Sequence, residues 1–266
     1  MQYSKIWICN IYKGGVFLSE TLVEEKTKVK GLSGTTIKFI AIAAMLIDHI
    51  AWAFVPTYSV FGQIMHVIGR ITASIMCFFV AEGYYYTKNV KKYVLRLAIF
   101  ALISHVPFIF FETENISILG NTGVIYTLCL SLIALIAYHK IKNRLLKYLS
   151  ITALSIMAFL GDWMCIAIFM TLNFWKHRGN FKKQAIGHCS ITFIFVGIMC
   201  WIYYSAGYPI TYGFFQLGMI LALPILYLYN GKKGKFAEKH KKFSKWVFYI
   251  FYPLHLIILG LLKAIL

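Results

Sequence analysis

IKFIAIAAMLIDHIAWAFVP, residues 37–56, decides the fold. The stretch carries only Lys38, Asp48 and His49 as ionisable groups, and a hydrocarbon core about 30 Å thick is crossed by roughly 20 apolar residues of α-helix. Read outward from it, apolar runs separated by charged or turn-rich breaks predict further spans at 63–87, 93–111, 121–138, 145–161, 163–175, 185–205, 212–229 and 246–266. The fifth and sixth runs are the weakest, and fit either a hairpin at Gly161-Asp162 or a pair of half-spanning helices. Composition agrees with the pattern. Of 266 residues 60% are hydrophobic and only 14% charged, with a mean hydropathy of +0.71, which excludes a soluble globular domain of this size. The expected fold is an all-α integral membrane protein of about nine transmembrane helices.

A net charge of +18 would suggest nucleic acid in a soluble protein. Here the basic residues fall in every alternate loop: Lys26, Lys28, Lys30 and Lys38, then Lys88, Lys91 and Lys92, then Lys140, Lys142, Arg144 and Lys147, then Lys176, Arg178, Lys182 and Lys183, and a run from Lys232 to Lys245. The intervening loops, Pro56 to Gly62, Phe111 to Gly120, Gly161-Asp162 and Ala206 to Tyr212, contain no Lys or Arg. Positive charge resists translocation and stays cytoplasmic, so the nine spans run with the amino terminus inside and the carboxyl terminus outside. The implied partner is the lipid bilayer and not nucleic acid.

Residues 1–31 hold only the short apolar pieces Ile6 to Tyr12 and Val16 to Leu18, split by Lys13-Gly14-Gly15. No cleavable signal peptide is visible, and the segment reads as a cytoplasmic extension preceding a membrane domain over 32–266. Six cysteines, Cys9, Cys77, Cys129, Cys165, Cys189 and Cys200, are scattered singly, which indicates neither a disulfide framework nor a zinc site. No metal is expected. P-loop, Gly-x-Ser-x-Gly, His-Glu-x-x-His and Rossmann patterns are missing.

An ionisable group in mid-span costs roughly 3 kcal/mol or more unless it faces protein or water. Those needing a reason are Asp48 and His49 in the first span, His66, Arg70 and Glu82 in the second, Arg96 and His105 in the third, His255 in the ninth, and Asp162 at a loop tip. Adjacent helical residues point about 100° apart, so Asp48 and His49 can flank one cavity that neighbouring helices complete. A buried imidazole near a carboxylate suits a general base; a structural pair tying helices together is the plain alternative. Arg70 stays charged and needs an anion, which Asp48, Glu82 or a ligand phosphate can supply. Glu82 can pair with Arg96 at the same depth, while Arg96 can equally snorkel to the interface. His255 follows Pro253, which removes one backbone bond and can open a kink. His139, His177, His188 and His240 lie in or beside basic loops and read as solvated.

Leu32-Ser33-Gly34 through Lys38, Met45-Leu46-Ile47-Asp48-His49, Ile68-Gly69-Arg70-Ile71, Glu82-Gly83-Tyr84-Tyr85-Tyr86-Thr87-Lys88-Asn89, Lys92-Tyr93 and Leu95-Arg96-Leu97 together resemble the TraX family of membrane proteins. The resemblance runs from about residue 32 to 111 and more loosely to the end. Tyr252-Pro253-Leu254-His255 looks like the last helix of the wider class of transmembrane acyltransferases. The chain departs from the family pattern at His105, where an acidic residue is common, at Ala73-Ser74, where a proline often lies, and at Met164, where glycine is usual.

The resemblance implies an acyltransferase of the bacterial cytoplasmic membrane, using acetyl-CoA as acyl donor and acylating an amine or hydroxyl at or beyond the membrane. A secreted pilin-like peptide, an envelope glycan and a lipid head group all fit as acceptor. His49 would be the general base, Asp48 would stabilise its imidazolium, and Arg70 would hold the oxyanion or a phosphate. Glu82, His66, Arg96, His105, Asp162 and His255 would line the substrate or acyl-CoA path. An acyl-histidine relay is an alternative to direct transfer. Two other classes use the same groups: a proton-coupled transporter or flippase, and an assembly protein whose buried polar residues only fix helix register.

Overall fold

The computed structural model describes residues 4–12, 15–23 and 31–266, in two compact units divided after Gly31. The first holds two antiparallel strands, β1 (Ser4–Tyr12) and β2 (Gly15–Val23), in register from Ser4↔Val23 to Tyr12↔Gly15. This sheet lies outside the expected all-α description. β-Branched and aromatic residues at Ile6, Trp7, Ile8, Ile11 and Tyr12 suit a pleated backbone. Lys26, Lys28 and Lys30, which entered the orientation argument, lie outside the described residues.

The second unit is helical: α1 (Gly34–Phe54), α2 (Val60–Gly69), α3 (Ile71–Tyr86), α4 (Val90–Thr113), α5 (Val124–Lys140), α6 (Arg144–Met157), α7 (Ile166–Lys176) and α8 (Phe181–Ser205) come first. A 3-10 segment over Ile210–Leu221 then leads into α9 (Ala222–Tyr227), α10 (Lys235–Lys239) and α11 (Lys241–Ile265). Short polar caps start five of these helices. Ser33, Ser59, Asn89, Asn143 and Asn180 each accept a backbone N–H from three residues on, at 2.9–3.2 Å, filling donors that a helix start leaves open.

Six helical stretches among the described residues are long and apolar enough to cross a membrane: Gly34–Phe54, Val60–Tyr86, Val90–Thr113, Phe181–Ser205, Ile210–Tyr227 and Trp246–Ile265. This is a multi-pass membrane protein. The expected fourth, fifth and sixth spans are helical but shorter. α7, with 11 residues, is about 16 Å long at 1.5 Å per residue and is largely buried inside the bundle, with Ile168, Met170 and Phe174 closed off.

Contacts gather the helix ends into two groups. At one, Leu32 and Gly34 donate backbone N–H groups to Leu228 O (2.7 Å) and Lys232 O (2.8 Å), Tyr84 and His139 share a hydrogen bond of 2.7 Å, and Phe79 packs on Tyr229. At the other, Thr122 donates to Leu160 O (2.7 Å), Asp162 donates to Thr122 O (2.9 Å), and Lys263 pairs with Glu114 at 3.1 Å. The core between them is built on Ile37, Ile75, Leu132, Met170, Met219 and Leu256.

Candidate functional site

α2 and α3 form one apolar run interrupted at Arg70, whose N–H returns to His66 O at 2.9 Å. The break aims the Arg70 guanidinium at α1, where it donates to Asp48 Oδ2 in a buried ion pair. His66, on the turn before, donates from Nδ1 to Asp48 Oδ1 at 2.8 Å and is 0% exposed. Both Asp48 oxygens are therefore engaged. Gly69 makes this approach feasible, since a Cβ there would run into the Asp48 side chain. The guanidinium also faces the rings of Trp163 at 5.0 Å and Phe215 at 5.4 Å, a desolvated cation on two π faces.

His49 points elsewhere. Its Nδ1 donates to Met45 O at 2.8 Å, so the proton sits on Nδ1 and Nε2 carries the lone pair. Across from it His255 repeats the arrangement, with Nδ1 donating to Phe251 O at 2.8 Å. The two rings meet edge to face at 4.8 Å. Phe111 and Tyr252 also pack on His49, and Phe251 stacks on His255 at 4.7 Å. Pro253 lies inside α11 without ending it. Tyr252 anchors this wall, since its Oη accepts the Val124 N–H at 3.1 Å.

Between these walls lies a cavity of about 20 Å³ lined by Met45, Asp48, His49, Gly69, Thr72, Val124, Asp162 and Trp163. That is room for about one water molecule. Asp162, which follows the short 3-10 turn Ala158–Leu160, is exposed, so the polar centre reaches the surface at the end of the bundle that holds Glu114 and Lys263. The arrangement brings together a carboxylate neutralised by two cations or donors, two imidazoles with free Nε2 lone pairs, and a second carboxylate at the rim. Among the described residues no group of three or more His, Cys, Asp or Glu side chains could hold a metal ion.

A model of the TraX protein family matches residues 33–263. The chain belongs to the TraX family. It is 28% identical over 235 residues to a probable fimbrial assembly protein FimC, serogroup H1, of Dichelobacter nodosus, an alignment spanning 85% of this chain and 94% of that protein. No solved structure matches it.

Within this TraX-family chain six of the nine expected site residues come together, and Glu82, Arg96 and His105 lie apart from them. Asp48, His49, His66, Arg70, Asp162 and His255 converge. Glu82 lies near the opposite end of the bundle and pairs with Arg178, which donates from Nε at 2.6 Å and from Nη2 at 3.3 Å. The expected Glu82–Arg96 pair gives way to this one because Arg178, on the turn after α7, presents its planar fork to both carboxylate oxygens. Burial alone would lower the Arg178 guanidinium; the Glu82 carboxylate outweighs that and holds it above its ordinary value. Arg178 also stacks 3.5 Å from the Tyr85 ring. Arg96 faces the Tyr93 ring at 5.4 Å. His105 shares a 2.9 Å hydrogen bond with Ile118 O, bracing the loop after α4.

Both Asp48 oxygens are taken by His66 and Arg70, so Asp48 acts on the neighbouring His49 imidazole through space. Trp163, Tyr252 and Phe215 are site residues that sequence reasoning passed over. His188, read as solvated beside a basic loop, is 0% exposed inside the bundle.

Proposed function

We propose that this protein is a membrane-embedded acyltransferase that moves an acyl group, acetyl in the simplest case, from cytoplasmic acyl-CoA to an amine or hydroxyl acceptor at the outer face. In this reading the chain crosses the bacterial cytoplasmic membrane nine times, amino terminus inside, with the short helices α5 and α7 largely covered by their neighbours and α6 turning its apolar face outward. The alternation of basic and non-basic loops and the two groups of helix ends support that path. The fimbrial assembly role in the name of the D. nodosus relative fits a secreted pilin-like peptide as acceptor, alongside an envelope glycan or lipid head group.

The observation that carries the reading is His49: its Nδ1–H is tied to Met45 O, which leaves Nε2 as the lone-pair nitrogen, and the residue lines a small cavity together with Asp48 and Asp162. The acceptor binds at the Asp162 rim, whose carboxylate attracts an ammonium or hydroxyl. His49 Nε2 takes the acceptor proton as the nucleophile attacks the thioester carbonyl. Arg70, positioned by Asp48 and the Trp163 and Phe215 rings, supplies positive potential to the oxyanion. His255, against His49, shares the proton or serves as the acyl-accepting imidazole of a relay.

The test is CoA release from acetyl-CoA by the protein in lipid nanodiscs, with cell-envelope extract as acceptor. Wild type should release CoA only with extract. General-base loss costs about 10²–10⁴-fold, so His49→Gln should fall by that amount with unchanged thermal stability. A wild-type protein that consumes no acetyl-CoA with any of the three acceptor classes refutes the reading.

A further inference from the structure

α8 and the 3-10 segment Ile210–Leu221 pack side by side, and their seam is polar deep inside the bundle. His188 Nε2 donates to Met219 O at 3.0 Å, which leaves Nδ1 as a lone-pair nitrogen without a hydrogen-bond partner among the described residues. Ser74 Oγ reaches the same carbonyl at 3.3 Å. One turn along α8, Thr192 is 0% exposed with Oγ1 unpartnered among the described residues. One 3-10 turn back from Met219, buried Gln216 has its Oε1 in the same state.

The seam joins further polar groups at one end and comes within one side chain of the charged cluster at the other. Toward the basic loops, Gln184 donates to Phe174 O (2.8 Å) and accepts from Asn173 Nδ2 (2.9 Å), while Asn173 Oδ1 accepts from half-buried His177 at 3.0 Å. In the other direction Phe215, next to Gln216, touches both His66 and Arg70. Gln184, His188 and Thr192 fall on one face of α8 over about 12 Å of axis, at 1.5 Å per residue. Hydrocarbon offers no partner to such groups, whereas a buried water bonds to two to four polar atoms and settles where they converge.

We propose that a file of ordered water runs along this seam from His177 past His188 and Thr192 to Gln216, and conducts protons between the basic end of the bundle and the Asp48–His66–Arg70 cluster. Its chemical purpose rests on the acyl-transfer reading. When an ammonium acceptor is acylated, a C–N bond forms, the C–S bond breaks, and two protons leave nitrogen. One is taken by the CoA thiolate and the other has to leave the site, and the seam offers it a route toward the basic loops. His188 accepts a proton at Nδ1 and gives one up from Nε2, the exchange a relay needs.

Radiolytic hydroxyl-radical footprinting in nanodiscs tests the file, because bound water generates the radical beside the side chain it oxidises. In wild type Met170 and Met219, both 0% exposed, should be oxidised. In His188→Leu/Thr192→Val that oxidation should fall several-fold, while Met45, on the separate cavity, keeps its wild-type level and reports an intact fold. Unoxidised Met170 and Met219 in wild type, or equal oxidation in the double variant, overturns the file. For the proton-carrying role, Thr192→Val should slow acyl transfer several-fold with unchanged CoA binding, and Thr192→Ser should restore it. A wild-type rate in Thr192→Val overturns that role. Should the footprint appear in a protein that transfers no acyl group, the file stands and the acyltransferase reading fails.

Discussion

Removing one charge at a time from the Asp48–Arg70 pair separates a built electrostatic centre from a chance approach of two helices. Both side chains are buried, so truncating either leaves an uncompensated charge at a cost of about 3–5 kcal/mol. The two losses should differ. In Arg70→Leu, Asp48 keeps its hydrogen bond from His66, which places the variant near the lower figure. Asp48→Leu strips Arg70 of its hydrogen-bonded carboxylate and leaves it the Trp163 and Phe215 faces and the more distant Asp162, which places it near the upper one.

The double variant removes both charges, and an apolar replacement of a buried pair is often close to neutral. If the sites were independent the double would lose about 6–10 kcal/mol, the sum of two such costs. We expect it to lie within about 2 kcal/mol of wild type, a coupling above the 0.5–3 kcal/mol usual for neighbouring residues. Unfolding in mixed micelles, followed by Trp fluorescence, measures all four proteins. Additive losses would refute the account of Asp48 as the shared anion of His66 and Arg70.

Gly218→Ala places a methyl group against the Val67 backbone, so α2 must back away from the 3-10 segment; a loss of about 1–3 kcal/mol in the same unfolding assay is expected, together with reduced acyl transfer because α2 carries His66. Tyr252→Phe orphans the Val124 N–H and should cost about 1–3 kcal/mol, while Tyr252→Leu also removes a wall of His49 and should impair transfer beyond its effect on stability. For the chain path, single cysteines at Lys142 and Lys233 should react with an impermeant maleimide only from the cytoplasmic side, and cysteines at Tyr58 and Tyr208 only from outside. Labelling of adjacent loops from the same side would refute nine crossings.

Much of this architecture is legible in the chain because lipid imposes its own arithmetic: apolar runs of spanning length and alternating basic loops leave few ways to thread it. The candidate centre was visible for the same reason, since Asp48, His49 and Arg70 are conspicuous inside apolar sequence. The Asp48–Arg70 pair was among the pairings that sequence left open, without a means of choosing. Whether Asp48 serves His49 or Arg70 depends on the rotation of α1 against α2, which a close packing at Gly69 sets and hydropathy does not encode. Trp163 and Tyr252 were hidden because aromatic residues are common in this chain, at 17%, and most of them face lipid or apolar core. Glu82 meets Arg178 across 96 positions, a separation no local pattern reports. His188 was misplaced because Lys182 and Lys183 suggest a loop, yet α8 already begins at Phe181 and carries His188 inward within two turns.

The Asp48–Arg70 pair also bears on how such a chain enters a bilayer at all. Its partners are 22 residues apart, and both belong to the first helical hairpin to leave the ribosome after residue 31. An isolated Asp or Arg at the centre of a helix is disfavoured in translocon insertion by about 2.5–3.5 kcal/mol. A hairpin that folds in the lateral gate of the translocon can release both charges already cancelled, with His66 covering the remaining carboxylate oxygen. The candidate centre then begins as an insertion unit, assembled before the segments that supply Asp162, Tyr252 and His255 have been synthesised.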